Sequence, residues 1–297
     1  MKGCRAFVTG GSGAVGRNLL PLLIDSGMKL RVLKHNAPLP GVDAEEVVGD
    51  IRNFQEGWLE GVDVVFHLAA KTIPSGKDGS MTEVNAGGTE RLVRALQSVG
   101  RSPRLVFASS IAVFGPCRNG LPLSNDSPLN PISDYGRSKL KAEAAVLGYE
   151  RAVIVRLPMV VGPGDRVTGR FEKLARTRVF PVTPKRFCTI DARDAARLFC
   201  HLAKAADAEG RIHTVSDGES YSWRDVARHF GELRGRGVFA FTIPGILLRP
   251  ALFGLLGNPD GAYYLKYDWI CRPNFPAGFE IRHKVFSGGS FEKSPAA

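Results

Sequence analysis

The run Thr9–Gly16, TGGSGAVG, narrows the fold more than any other part of this chain. It lies directly after the apolar segment Cys4–Val8 and leads into the helix-like stretch Val15–Ile24. A strand, a tight glycine turn and a helix start gather several backbone N–H groups around one point. The helix dipole adds positive potential there, which suits the pyrophosphate of a dinucleotide. Gly10 would allow the tight turn, Gly13 the close approach of the phosphates, and Gly16 the packing of helix on strand. Thr9, Ser12, Ala14 and Val15 complete the expected cofactor-binding stretch. GxxGxxG spacing alone is weak evidence. Its place after an apolar strand gives it weight.

Strand-like runs recur at Ala6–Thr9, Leu30–Leu33, Glu46–Val48, Val62–His67, Leu105–Ala108, Val153–Leu157 and Arg211–Val215. Helix-like segments lie between them near Val15–Ser26, Met81–Val99, Tyr135–Gly148 and Asp194–Ala205. Short apolar strands alternating with helices predict an α/β fold, a doubly wound parallel sheet covered on both faces. Regularity fades at 163–189, rich in Pro, Gly, Arg and Thr, and again from about 216 onward. Ser222–Asp225 is nevertheless a plausible helix start, with a hydroxyl three positions before a carboxylate. The expected division is a nucleotide-binding domain at 1–162 plus 190–215 and a smaller, irregular C-terminal substrate lobe at 163–189 plus 216–286. The lobe should cover the carboxyl ends of the strands, and 287–297 reads as a mobile tail.

The 297 residues suffice for a sizeable core, and the net charge of +11 raises the question of nucleic acid. Lys and Arg are spread without a long basic run or a nucleic-acid motif, so no nucleic-acid partner is expected. Attraction of phosphorylated cofactors is the better use of that charge. Cys4, Cys117, Cys188, Cys200 and Cys271 are scattered without CxxC spacing, which reads as reduced thiols in a cytoplasmic protein. No metal site and no signal peptide are expected. The most apolar stretch, Val238–Leu256, is interrupted by Pro244, Gly245, Arg249 and Pro250. A substrate-pocket wall or a buried helix pair is the expected form, and no membrane attachment is expected.

Tyr135 and Lys139 form a YxxxK pair in a helix-like segment, so both side chains share a face. An ammonium beside a phenol favours the phenolate and tunes the tyrosine toward general acid/base work near neutral pH. An isolated pair of this kind is more often a surface tyrosine with a solvated lysine. Ser110 changes that reading, because it ends the strand at 105–108, at the carboxyl edge where the cofactor should lie. Its hydroxyl could reach a substrate oxygen also reached by Tyr135.

The sequence resembles the extended type of the short-chain dehydrogenase/reductase superfamily, which includes nucleotide-sugar epimerases, dihydroflavonol reductases and 3β-hydroxysteroid dehydrogenases. The matching pieces, in order, are TGGSGAVG at 9–16, GDIRN at 49–53, HLAA at 67–70 and VNAGGT at 84–89. They continue with SSIAVFG at 109–115, YGRSK at 135–139, RLPMVVGPG at 156–164 and TIDARDAA at 189–196. The resemblance implies a Rossmann fold and a catalytic set of Ser110, Tyr135 and Lys139. It implies that Asp50 and Ile51 contact adenine, that Leu68, Ala69 and Ala70 line the nicotinamide ribose, and that Pro158 sits near the nicotinamide amide. Tyr135 and Lys139 would also touch the cofactor, with Asn85 supporting the active-site helix. His67 and Asn85 could simply satisfy buried backbone groups. The resemblance further implies a homodimer through the helices at 81–99 and 135–148, to which Leu92, Val93 and Leu96 could contribute or could instead pack on the sheet.

Cofactor choice rests on the end of the second strand. NAD binders usually place a carboxylate about 20 residues past the glycines, to accept from the ribose 2′-OH. Here Lys34 and His35 stand there, which favours NADP(H) over NAD(H). Arg17 could assist or be a solvated helix residue.

Three departures narrow the activity. Ile111 and Ala112 replace the Asp-Glu pair of sugar-nucleotide 4,6-dehydratases. Met159 stands where many epimerases carry an Asn, and Arg186 is displaced by one residue from the usual diphosphate-gripping arginine. The first expectation is therefore a carbonyl reductase or alcohol dehydrogenase acting on a small molecule. The alternatives are a nucleotide-sugar epimerase with tightly bound NAD and a non-catalytic NADP(H)-binding redox sensor.

Overall fold

The structure, a computed structural model, describes residues 1–35, 38–39, 41–72, 80–235, 237–243 and 261–286. The first half alternates β1 (Arg5–Thr9), α1 (Ala14–Asp25), β2 (Lys29–Lys34), β3 (Glu45–Val48), β4 (Val64–His67), α2 (Gly88–Ser98), β5 (Arg104–Ser110), α3 (Asp134–Leu147) and β6 (Ala152–Leu157). The second half continues with β7 (Met159–Val161), α4 (Arg166–Arg176), β8 (Val179–Val182), β9 (Arg186–Phe187), β10 (Thr189–Asp191) and α5 (Ala192–Leu202). Then follow β11 (Ile212–Thr214), β12 (Tyr221–Ser222), α6 (Trp223–Glu232), β13 (Phe239–Thr242) and α7 (Gly261–Lys266).

Seven strands pair in parallel in the order β11-β6-β5-β4-β1-β2-β3. All seven coincide with the strand-like runs in the sequence. Helices cover both faces, so β6 is buried along its whole length. On one face Leu19, Leu20 and Leu23 of α1 meet Leu198, Phe199 and Leu202 of α5. On the other, Leu92 and Leu96 of α2 and Ala142 and Val146 of α3 pack against Phe107. Leu92, Val93 and Leu96 are thus consumed within the chain. The strand order reverses between β1 and β4, where Thr9 pairs in register with His67. Open α/β sheets bind ligands in the crevice beyond the carboxyl ends of such a pair.

A third core gathers Phe171, Phe180, Phe187, Trp223, Phe230 and Trp269. It includes α4 and β8, inside the stretch where the sequence lost its regularity. Among the described side chains of α4, Phe171, Leu174 and Ala175 form the inner stripe, set among many cations in the sequence, so the helical period is faint there. The start of α6 is as expected: Ser222 and Asp225 form a reciprocal capping box.

Residues 268–283 stitch distant parts together. Cys117 N donates to Asp268 O (2.9 Å), Leu123 N to Ile270 O (2.8 Å) and Cys188 N to Trp269 O (2.8 Å). Asn274 N donates to Thr214 O (2.7 Å), and Arg282 N and His283 N both donate to Asp194 Oδ2. All five cysteines are free, with Cys188 and Cys271 Sγ atoms 3.3 Å apart in the interior. Most of the apolar stretch 238–256, from 244 onward, and the tail 287–297 lie outside the described residues. No helix among the described residues is long and apolar enough to cross a membrane.

Candidate active site

The turn after β1 leaves no room for a side chain at Gly10 or Gly16. Gly10 has φ +74°, and a Cβ there would lie 2.6 Å from Ala69 N. A Cβ on Gly16 would collide with the carbonyl oxygens of Gly10 and Gly11. Gly13 is the N-cap of α1; it supplies no side-chain cap, and no acidic residue occupies the first turn. The first-turn N–H groups therefore face a cradle that only glycine keeps open, the donor set a dinucleotide pyrophosphate needs. Arg17 Nε donates to Ser12 O (2.8 Å), so its guanidinium braces the turn itself.

Behind the cradle runs a buried relay. Thr89 Oγ1 donates to Asn85 O (2.6 Å), so it accepts from His67 Nε2–H (2.8 Å). Thr9 Oγ1 accepts from Ala69 N (3.2 Å) and donates to His67 Nδ1 (2.7 Å). This pattern requires a neutral imidazole with its proton on Nε2. Burial, reinforced by the charge of Lys139, pushes the His67 pKa down to about 3. His67 locks β1, β4 and α2 together and is not placed for proton transfer to substrate.

At the end of β2 no carboxylate stands on the strand. Lys34 Nζ is paired with Glu46 of β3 at 2.6 Å. His35 Nε2 lies 3.2 Å from Asp50, which also accepts from Arg52 Nη2 (2.6 Å) and from Arg52 N (2.8 Å). The Arg52 hydrogen bond holds the Asp50 carboxyl below the usual range. Ile51 is buried, and a Cβ on Gly88 would lie 2.9 Å from its side chain.

The first half of α3 is fixed against β5, the turn after it and Asn85 by a series of contacts. A Cβ on Gly136 would lie 2.5 Å from Ala112 O, so the helix abuts the turn that follows Ser110. Ser133 caps α3 by accepting from Gly136 N (3.0 Å). One turn on, Asn85 Nδ2 donates to Ser138 Oγ (2.9 Å), while Asn85 Oδ1 accepts from Lys71 N (2.7 Å). Lys139 is 2% exposed, with Nζ 4.4 Å from the centre of the Phe107 ring. Burial brings its pKa down to about 7, opposed by Glu143. Finally Glu143 accepts from Arg156 Nε (3.0 Å), Arg156 Nη2 (2.7 Å) and Ser109 Oγ (2.5 Å), all in the interior.

Ser110 thus ends β5, accepting from Ala112 N (3.2 Å), while half-buried Tyr135 and buried Lys139 occupy successive turns of the helix packed on that turn. Leu68, Ala69 and Ala70 follow β4, directly across from Gly10. Pro158 is buried between β6 and β7. Ile111 and Ala112 are buried apolar residues, and Met159 packs, partly buried, against the third, aromatic core. Arg186 is held by Ser220, through Nε to Oγ (3.1 Å) and Nη2 to the backbone oxygen. Sequence reasoning missed Gly136, Ser138 and the Ser109–Glu143–Arg156 cluster. Glu143 falls four residues after Lys139 on the same face, which is the signal that could have revealed it.

The sheet order, the glycine cradle and the crevice between β1 and β4 define a dinucleotide-binding α/β protein. The sequence profile of the NAD dependent epimerase/dehydratase family matches residues 6–216, and the protein belongs to this family, within the extended short-chain dehydrogenase/reductase superfamily. Its relatives make it an NAD(P)-dependent enzyme. A 4-hydroxy-2-methyl-3-oxo-4-farnesyl-3,4-dihydroquinoline-1-oxide ketoreductase of Stigmatella aurantiaca is 30% identical over 81% of this chain and 76% of its own. A 3-beta-hydroxysteroid dehydrogenase of Mycolicibacterium neoaurum is 28% identical over 84% and 75%. Among solved structures, MoeE5 in complex with UDP-glucose and NAD shares the fold, with TM-score 0.77 and 23% identity over 96% of this chain and 95% of its own.

Proposed function

We propose that the protein is a carbonyl reductase or alcohol dehydrogenase that uses Ser110, Tyr135 and Lys139 on an apolar ketone or alcohol. The observation that carries this reading is the close packing of α3 on the turn after Ser110, with Lys139 buried beneath Tyr135's turn. When bound, the nicotinamide dinucleotide supplies or accepts hydride at its C4. Tyr135 gives the substrate oxygen its proton in reduction and takes it back in oxidation. Ser110 donates a hydrogen bond to the same oxygen and polarises it. Lys139, when charged, stabilises the tyrosinate left behind. The glycine cradle at 10–16 would hold the pyrophosphate, Asp50 and Ile51 the adenine, and Leu68–Ala70 with Pro158 the nicotinamide half.

An apolar substrate is favoured by Met159 against the aromatic core, by Ile111 and Ala112 after the catalytic serine, and by an Arg186 already held by Ser220. The ketone and hydroxysteroid chemistry named for the two relatives points the same way. The lobe at 163–189 plus 216–286 would shape this pocket. NADP(H) is the favoured cofactor, because the end of β2 carries Lys34 and His35 without a carboxylate of its own. A homodimer through α2 and α3 would have to use their outer residues, such as Arg94, Ala144 and Leu147, since the inner ones already pack on the sheet.

The test is to identify the nucleotide in protein as purified by mass spectrometry, then dialyse. A reductase exchanges its cofactor each turnover, so an empty or readily emptied site that prefers NADPH, with turnover of apolar ketones lost in Tyr135→Phe, supports the reading. NAD⁺ retained through dialysis would overturn it in favour of a nucleotide-sugar epimerase.

A further inference from the structure

A second surface lies away from the crevice, where β8 and β13 form a two-stranded parallel sheet in the lobe. Their register pairs Phe239 with Val179 and Phe241 with Pro181. Alternation along β8 sends Phe180 and Val182 into the aromatic core, both 1% exposed. The opposite face presents Phe239 at 71%, Phe241 at 40% and Val179 at 43% exposure. Two exposed phenylalanines two residues apart on one strand form a patch, unlike apolar residues scattered singly over a surface.

Cations are concentrated in the segments that build this small sheet and the helices packed on it, and Arg178 directly precedes Val179, its carbonyl oxygen accepting from Phe239 N (2.8 Å). Segments 166–182 and 223–243 hold nine Lys and Arg against three Asp and Glu, so these two segments supply +6 of the chain's net +11. Lys173, Arg176, Arg178, Arg224, Arg228 and Arg234 are all exposed. Arg224 borders β13 directly, donating to Ala240 O (3.4 Å) and Thr242 Oγ1 (3.2 Å). Beside it opens a cleft of about 620 Å³ lined by Arg224, Arg228, Val238 and Ala240 among others. Of the three acids, Asp225 is already paired with Arg228 at 2.6 Å.

We propose that this face docks on an anionic phospholipid surface, with Phe239, Phe241 and Val179 entering the headgroup boundary and the flanking arginines meeting lipid phosphates. Stable membrane attachment needs two signals, and an apolar wedge beside a basic patch provides both. Charge complementarity selects this occupant, because an apolar patch in a field of this sign suits anionic headgroups better than a second, equally basic copy of the chain. The inference goes beyond the proposed reaction and does not depend on it, since docking is read without turnover.

The experiment is flotation of the protein with vesicles of phosphatidylcholine alone and of phosphatidylcholine with phosphatidylglycerol. The protein should float with the second and not the first, and added salt should release it. Phe239→Ser with Phe241→Ser should weaken binding about tenfold or more. Arg178→Gln and Arg224→Gln should each weaken it about fivefold. Far-UV circular dichroism and dinucleotide binding should be unchanged in all variants, which separates a lost surface from a lost fold. Equal flotation on both vesicle types, or undiminished binding in the double serine variant, overturns the proposal. So does a dimer that the double serine variant dissolves while vesicles bind neither form, which would assign the patch to a second copy.

Discussion

Gly136 touches Ala112 across the gap between α3 and the end of β5, so closely that a methyl group would sit 2.5 Å from the Ala112 carbonyl oxygen. Tyr135 is the neighbour of one partner, and Ser110 is two residues from the other. The contact therefore sets the separation of the proposed acid and the proposed oxygen-polarising hydroxyl. Gly136→Ala must push the helix away. Its kcat/KM should fall about tenfold or more and its stability by ~1–3 kcal/mol. Steady-state kinetics and urea unfolding check both, and wild-type kinetics would remove this contact from the site's geometry.

Lys139 carries a stability cost with a definite pH sign. Its pKa is 10.5 in an ordinary setting and about 7 here, so the unfolded chain holds the extra proton between those values. Stability should rise with pH through that window, and the cost is greatest below its lower end. Lys139→Met should raise stability near pH 6 by ~2–4 kcal/mol while abolishing turnover, with the gain shrinking toward pH 10. Thermal melts at several pH values decide it. A variant less stable than the parent near pH 6 would count against the buried charge.

His67 should stay neutral to unusually low pH. Its pKa falls from 6.5 to about 3, so stability is lost as the pH drops from the first value toward the second. The relay through Thr9 and Thr89 further requires the Nε2–H tautomer. Nitrogen-15 NMR should show that tautomer with no titration near pH 6, and His67→Gln should flatten the acid limb of the stability curve. An imidazole titrating near pH 6 would break the relay as described.

Lys34 is paired with Glu46 at 2.6 Å, so the proposed 2′-phosphate contact should be tunable from Glu46. Glu46→Gln frees the ammonium, and NADPH should bind about three- to tenfold more tightly with NADH little changed. Lys34→Asp should weaken NADPH far more than NADH. Titration by fluorescence measures both, and equal changes for the two cofactors would sink the assignment of NADP(H).

Much of the sheet was readable because its central strands are short, apolar runs set between helix-like segments. The Tyr135–Lys139 pair was readable because helical spacing alone puts both on one face. What escaped depends on contacts between residues far apart in sequence. The described inner stripe of α4, Phe171, Leu174 and Ala175, sits in a cationic segment, so no period rises above the charge. Glu143 and Arg156 look like ordinary surface charges until β5, β6 and α3 enclose them, with 1% and 4% of their side chains exposed. Gly136 reads as a defect near a helix start; only the position of Ala112 explains it. Lys34 was legible as a cation at the end of β2, but its partner on β3 was not.

The stitching by residues 268–283 has a consequence for biosynthesis. Every strand of the central sheet lies before residue 215, so a ribosome has made the whole sheet before Trp269, Ile270 and Asn274 exist. Translation proceeds at about 5–20 residues per second, slow enough for the sheet to collapse first. The aromatic core around Phe187 and Trp223 must then wait for Trp269 to arrive and complete it. Premature release before that point leaves a nascent protein with its sheet assembled and a greasy flank uncovered, the kind of species chaperones and proteases recognise. Completion of the aromatic core thus depends on the synthesis of residues 268–283, well after the sheet's own strands have been made.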